Sequence, residues 1–195
     1  SQFCDRLRHH IQSRDLSMYQ EHNPGQELML DFAGSKLHWI EESSGEQRWC
    51  EVLIGVLPYS NYTCVLALPS QGMEDFVHGI NVILRQLGGL PEAILSDNLK
   101  SFVIKSDRYE PTFNELCVQL SAFYNLDLHA ARPRHPKDKA SVENMVQQVY
   151  RQIYAPLRNE VFHSLESLNA AITSQVDKLN DKTFQIRPGS RKSCF

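Results

Sequence analysis

Residues 49–57 (WCEVLIGVL) and 62–68 (YTCVLAL) are two apolar runs separated only by Pro58-Tyr59-Ser60-Asn61. That spacing constrains the fold more than any other feature of the chain. Four turn-forming residues cannot carry a crossover, which takes a dozen or more, so the two runs must pair antiparallel. A third run, residues 27–32 (ELMLDF), comes earlier between Gly25 and Gly34, and its unbroken apolar character suits a strand buried on both faces. Residues 37–40 prolong this ribbon toward a turn at Ser43-Ser44-Gly45. The expectation is an antiparallel meander.

After the meander the apolar period changes. Residues 73, 76, 77, 80, 83, 84 and 87 form a helical stripe that Gly88-Gly89 closes. Beyond Pro91, Ala93-Ile94-Leu95 reads as a short strand reached through that helix. Residues 114–123 predict a helix, 126–130 a fifth strand, 142–154 a helix that stops before Pro156, and 164–179 a last helix. The order β-β-β-α-β-α-β-α-α predicts an α/β, ribonuclease H-like fold: a mixed five-stranded sheet, its first three strands antiparallel, flanked by helices. The polar residues 1–25, ending in Asn23-Pro24-Gly25, read as a helical lead-in, residues 26–181 as the core, and 182–195 as a linker.

With 195 residues, 42% of them apolar, the chain supports one sizeable core. No run approaches the ~18 apolar residues of a membrane span and the N-terminus is too polar for a signal peptide, so a cytoplasmic protein is expected. The five cysteines are odd in number and scattered, without zinc spacing, and read as reduced thiols. Formal net charge is −3, yet between Ala131 and Arg158 six basic residues face two acids, so this segment carries +4 and the remainder −7. A local basic stripe of this kind suits phosphate contacts.

Three acids stand out by position. Asp31 lies within the first strand, where an unpaired buried carboxylate would cost several kcal/mol. A buried salt bridge or the wet end of the strand would account for it singly. Asp97, in Leu95-Ser96-Asp97-Asn98, falls at the end of the fourth strand, where α/β sheets place ligand-binding groups, although an Asx-turn would also explain it. Glu143 sits in the first turns of the helix after the basic loop, a place that the helix dipole alone favours for a Glu. In the expected fold the first and fourth strands are neighbours, so Asp31 and Asp97 would meet and Glu143 would be the third ligand. Three converging carboxylates repel unless divalent cations neutralise them, and magnesium is the natural guest.

At these residues the sequence resembles a known family. LDFAG around Asp31, LSDN around Asp97 and KDKASVEN around Glu143 look like the DDE motif of the retroviral-integrase-like transposase core, with 65 and 45 residues intervening. The wording SDNLK and RPRHPKDKASVEN is closer to IstA-type transposases, and Phe184 to Arg191 resembles the link to that family's C-terminal barrel. The resemblance spans roughly residues 24–192. It implies a polynucleotidyl transferase that cleaves transposon ends and joins them to target DNA. Asp31, Asp97 and Glu143 would hold two Mg²⁺ ions, for which Mn²⁺ can substitute. It further implies DNA contacts by Lys100, Arg132, Arg134, His135, Lys137, Lys139 and Gln147, with Lys105 nearby, a homo-oligomeric active complex and an AAA+ helper ATPase. The chain looks like a core fragment, without the family's N-terminal helix-turn-helix region or C-terminal barrel. Leu99-Lys100, where many integrases have a Gly after the Asp-Asn, departs from the pattern. Two alternatives stay open: a ribonuclease H-like nuclease acting on hybrids or junctions, and a catalytically silent DNA-binding domain.

Overall fold

A computed structural model describes Arg6 and residues 22–96, 103–105, 112–130 and 140–195. The meander is present as β1 (Glu27–Phe32), β2 (Leu37–Ile40), β3 (Gln47–Leu57) and β4 (Tyr62–Leu68). β3 is the longest strand and organises the others. β4 pairs antiparallel along one side of it, while β1 and β2 lie end to end along the other, β2 against residues 47–50 and β1 against residues 53–56. β2 therefore prolongs β1, as the sequence suggests. Helix α1 (Met73–Leu87) then carries the chain to β5 (Ala93–Ser96), which pairs parallel with β1. Helix α2 (Glu115–Tyr124) leads to β8 (Asp127–Ala130), parallel to β5. A small antiparallel pair, β6 (Val103–Lys105) with β7 (Thr112–Phe113), intervenes and is too short for any periodicity to reveal.

Strand alternation divides the core into two layers. Leu28, Leu30, Leu53 and Leu68 point to one face, where Phe76, Ile80 and Ile83 of α1 and Leu120 of α2 cover them. Cys50, Val52, Ile54 and Val65 point to the other face. There they meet Met145 and Val149 of α3 (Ala140–Val149) and Leu168, Ile172 and Val176 of α4 (Leu165–Asp181). Phe76, Leu53, Ile54 and Met145 are essentially solvent-free, each worth roughly 1.5–3 kcal/mol of burial. α1 approaches the sheet most closely at Gly79, where a Cβ would stand 2.8 Å from a Leu53 methyl and 2.9 Å from a Leu68 methyl. Gly88 ends α1 in the left-handed conformation (φ 67°), and the Ser164 and Ser167 side chains close a capping box at the start of α4.

The helix after the basic loop does not stop before Pro156. α3 passes into a π turn, Tyr150–Tyr154, and ends in a further helical turn, Ala155–Leu157. In an α-helix the Pro156 ring would strike the carbonyl four residues back. The π turn widens the ring at that point, with the Ala155 N–H donating to the Tyr150 carbonyl, and the proline is accommodated. Cys50, Cys64 and Cys117 are buried free thiols, and burial pushes them up to about 11, 12 and 11 respectively, so they are inert at neutral pH. Among the described residues no helix is long and apolar enough to cross a membrane.

Candidate active site

The site is built where β1 and β5 run out side by side. Their parallel register ends at Leu30 opposite Ser96, which is buried and whose Oγ donates to the Leu30 carbonyl at 3.4 Å. Asp31 is the next residue on β1. It is half-buried, opposite Ile54 of β3, and its Oδ1 accepts from the Phe32 N–H at 2.8 Å. Its carboxylate thus sits near the end of the strand rather than inside the core, which lowers the desolvation cost that a mid-strand position would carry. By alternation it shares a face with Met29 and Ala33, and Ala33 packs in the layer formed with α3.

Glu143 lies on α3 two residues before Met145, whose buried side chain anchors that helix to the same face of the sheet. The strand of Asp31 and the helix of Glu143 are therefore brought together, although the Glu143 side chain itself is outside the described residues. Asp97, Lys100, Arg132, Arg134, His135, Lys137 and Lys139 also lie outside them, and of Lys105 only the strand backbone is described. Gln147 is exposed on α3. Among the described residues no group of three or more His, Cys, Asp and Glu converges as a metal cluster.

Sequence reasoning missed a clamp beside Asp31. The π turn presents Tyr150 and Tyr154 to the loop that leaves β1. The Ser35 N–H donates to the Tyr150 hydroxyl at 2.9 Å, and the Tyr154 hydroxyl donates to the Ser35 carbonyl at 2.6 Å. Burial, reinforced by Tyr150, raises the Tyr154 pKa, so its O–H remains a donor throughout the ordinary pH range. Both backbone groups of Ser35, four residues after Asp31, are thereby fixed to the helix that carries Glu143. The visible signal was Tyr150 and Tyr154 at i, i+4 spacing, which alone is indistinguishable from helix packing.

A second missed residue is Glu51, a buried carboxylate within the apolar WCEVLIGVL run. It is paired with Lys36 at 2.6 Å and accepts from Gln71 Nε2 at 3.1 Å. Strand alternation puts it on the face opposite Asp31, with Leu53. It ties the β1–β2 loop to the start of α1.

The antiparallel meander, the two parallel strands added through α1 and α2, and the acid at the end of β1 define a ribonuclease H-like fold, that of retroviral integrase catalytic cores. The catalytic core domain of BIV integrase superposes with a TM-score of 0.60 at 15% identity, covering 87% of this chain and 92% of that one. The HTLV-2 integrase catalytic core domain, in complex with magnesium in a trimeric form, gives 0.59 at 13% identity over 90% and 99% of the two chains. In sequence, the chain is 35% identical over its whole length to a protein of Burkholderia multivorans assigned as the transposase of insertion sequence IS408. It is 34% identical, again over its whole length, to the protein y4uI of Sinorhizobium fredii, also assigned as a transposase. The chain spans 38% of each of these relatives. No family model matches. The fold is therefore that of a ribonuclease H-like core, and the sequence is similar to a stretch of proteins assigned as insertion-sequence transposases.

Proposed function

We propose that this chain is the part of a transposase that cleaves DNA at transposon ends and transfers the strands into target DNA, with Asp31, Asp97 and Glu143 as the acidic triad. The supporting observation is the β1–β5 register. It ends at Leu30 opposite Ser96, and in the sequence each of these two residues is followed directly by an aspartate, Asp31 and Asp97. α3, which carries Glu143, packs over the face to which Asp31 belongs. Three hard carboxylate oxygen donors suit a small divalent cation, so the donor set fits Mg²⁺, two ions, with Mn²⁺ as a substitute. Such ions would supply charge neutralisation at the phosphorus and at the attacking and leaving oxygens.

The remaining roles belong to the chain. Asp31 presents its carboxylate from the end of a central strand, and the Phe32 N–H holds one oxygen of it. The Ser35 clamp keeps the β1 exit loop against α3, so the strand and helix carrying two of the acids move as one body. Lys100, Arg132, Arg134, His135, Lys137 and Lys139, with Gln147, would grip the substrate backbone. The active assembly would be a homo-oligomer on DNA, supported by an AAA+ helper ATPase. The test is a strand-transfer assay on pre-cleaved ends with Mn²⁺ in the full-length enzyme. Joined products that vanish in Asp31→Asn and Glu143→Gln are expected, whereas products that are only hydrolysed would favour a nuclease.

A further inference from the structure

A cavity of about 490 Å³ lies away from the strand ends, between the π turn after α3, the C-terminal end of α4 and the segment that folds back after it. That segment closes on itself by the Phe184 N–H donating to the Gly189 carbonyl and by a bridge between Thr183 and Ser190. It presents Arg187 and Arg191 from the RPGSR stretch toward Arg151 of the π turn and Lys182 at the end of α4. The other polar side chains in the wall are hydroxyl and amide groups, and no Asp or Glu lines it.

The plain explanation for cations here is the C-terminus of α4, whose last carbonyls attract positive charge. It accounts for part of Arg191, whose Nη1 donates to the Leu179 carbonyl at 3.1 Å while Nη2 donates to Gln148 Oε1 at 2.5 Å. It does not account for the rest. Arg191 is only 7% exposed, its buried Nε has no hydrogen-bond partner, and none of the four cations pairs with a carboxylate among the described residues. Burial, then the charge of Arg187, holds the Arg191 pKa below the ordinary guanidinium value, the direction expected of a buried cation with no acid supplied. Arg187 is held over the Phe184 ring, 4.0 Å from its centroid, so its orientation is fixed as well. A buried guanidinium with no carboxylate partner, three further cations and a wall of amides are the features of a phosphate site.

We propose that this cavity seats a backbone phosphate of DNA, as a second anchoring point distinct from the acidic strand ends. This rests on the reading that the chain acts on DNA. Along α3 and the π turn, Arg151 is eight residues from Glu143, about 12 Å of helix rise. At 3.4 Å per phosphate along a strand, that is roughly three to four nucleotides from the reacting bond. The cavity therefore fixes the direction in which the duplex leaves the site.

The test uses a 20-base-pair duplex in EDTA, so that metal binding plays no part, and compares the wild type with the Arg151→Gln, Lys182→Gln double variant. Both side chains are exposed, so the fold is retained while Arg191 stays in place. The expected result is a Kd raised about tenfold and a log–log salt slope reduced by about two. Asp31→Asn should keep the wild-type slope. An unchanged Kd and slope in the double variant would overturn the cavity assignment while leaving the DNA reading intact. Failure of the wild type to bind the duplex would overturn both. Inorganic phosphate alone forms the second arm. If it raised the wild-type melting temperature and not the variant's, while duplex binding was the same in both, the occupant would be a free anion and not DNA.

Discussion

Asp31 shows how a carboxylate can follow directly on a buried apolar run and still be only half-buried. Its neighbours Leu28, Met29 and Leu30 are in the core, and it emerges only because β1 ends there. Asp97→Asn in the full-length enzyme keeps the side-chain size but removes charge, so end cleavage and strand joining should both fall below detection while DNA binding persists. Asp107→Asn, in the polar Lys105-Ser106-Asp107-Arg108 stretch, should behave as wild type. Strand transfer with pre-cleaved oligonucleotides reads both, and the opposite pattern would mean a different second carboxylate. Tyr154→Phe tests the clamp at the same scale. It deletes one O–H and leaves the Ser35 carbonyl without that donor, at a cost of about 1 kcal/mol in urea unfolding. If the clamp positions the β1 exit, kcat should fall several-fold with KM little changed, whereas a purely structural tyrosine would lower stability alone.

Among the elements, β4 illustrates a device that patterning could not disclose. It is an edge strand, and open edges invite pairing with other chains. α4 closes this edge with two asparagines. Asn180 accepts from the Thr63 N–H at 3.1 Å and donates to the Thr63 carbonyl at 2.8 Å, and Asn169 does the same for Ala67 at 2.8 and 3.0 Å. Asn180→Leu would strand two buried backbone groups, so a loss of about 2–4 kcal/mol in chemical denaturation is expected, together with aggregation on heating. Stability within 0.5 kcal/mol of wild type would show that the amide is dispensable. From sequence, Asn180 reads as one more polar residue near a helix end, because its partner lies 117 positions away. What was legible came from local rules: β1, β4 and α1 follow from unbroken apolar runs and a 3.6-residue stripe. The run of α3 through Pro156 was not, because a π turn leaves no signature in composition. The acids at 31, 97 and 143 were singled out through the resemblance their flanking motifs carry, and of their side chains the structure describes only that of Asp31, while the tyrosine clamp and the arginine-lined cavity depend on tertiary approach alone.

For the molecule as a whole, a cation that binds only the folded state must raise its stability by mass action. Millimolar Mn²⁺ should therefore lift the melting temperature by a few degrees without DNA, and Asp31→Asn should abolish the shift; coincident wild-type curves with and without the ion would count against the acidic site. The sheet also has a history written into its connections. β1 reaches its partner β5 across 66 positions of chain, and α3 follows later still. Pairings so distant in sequence close slowly, since loop entropy must be overcome before any contact rewards it. The meander of β1, β3 and β4 can form from local hairpins, whereas the pairing that brings the ends of β1 and β5 abreast must wait for α1 and β5 to follow it. The strand ends proposed to hold the cations are therefore brought abreast only after the meander has formed, and any activity that depends on them comes later still.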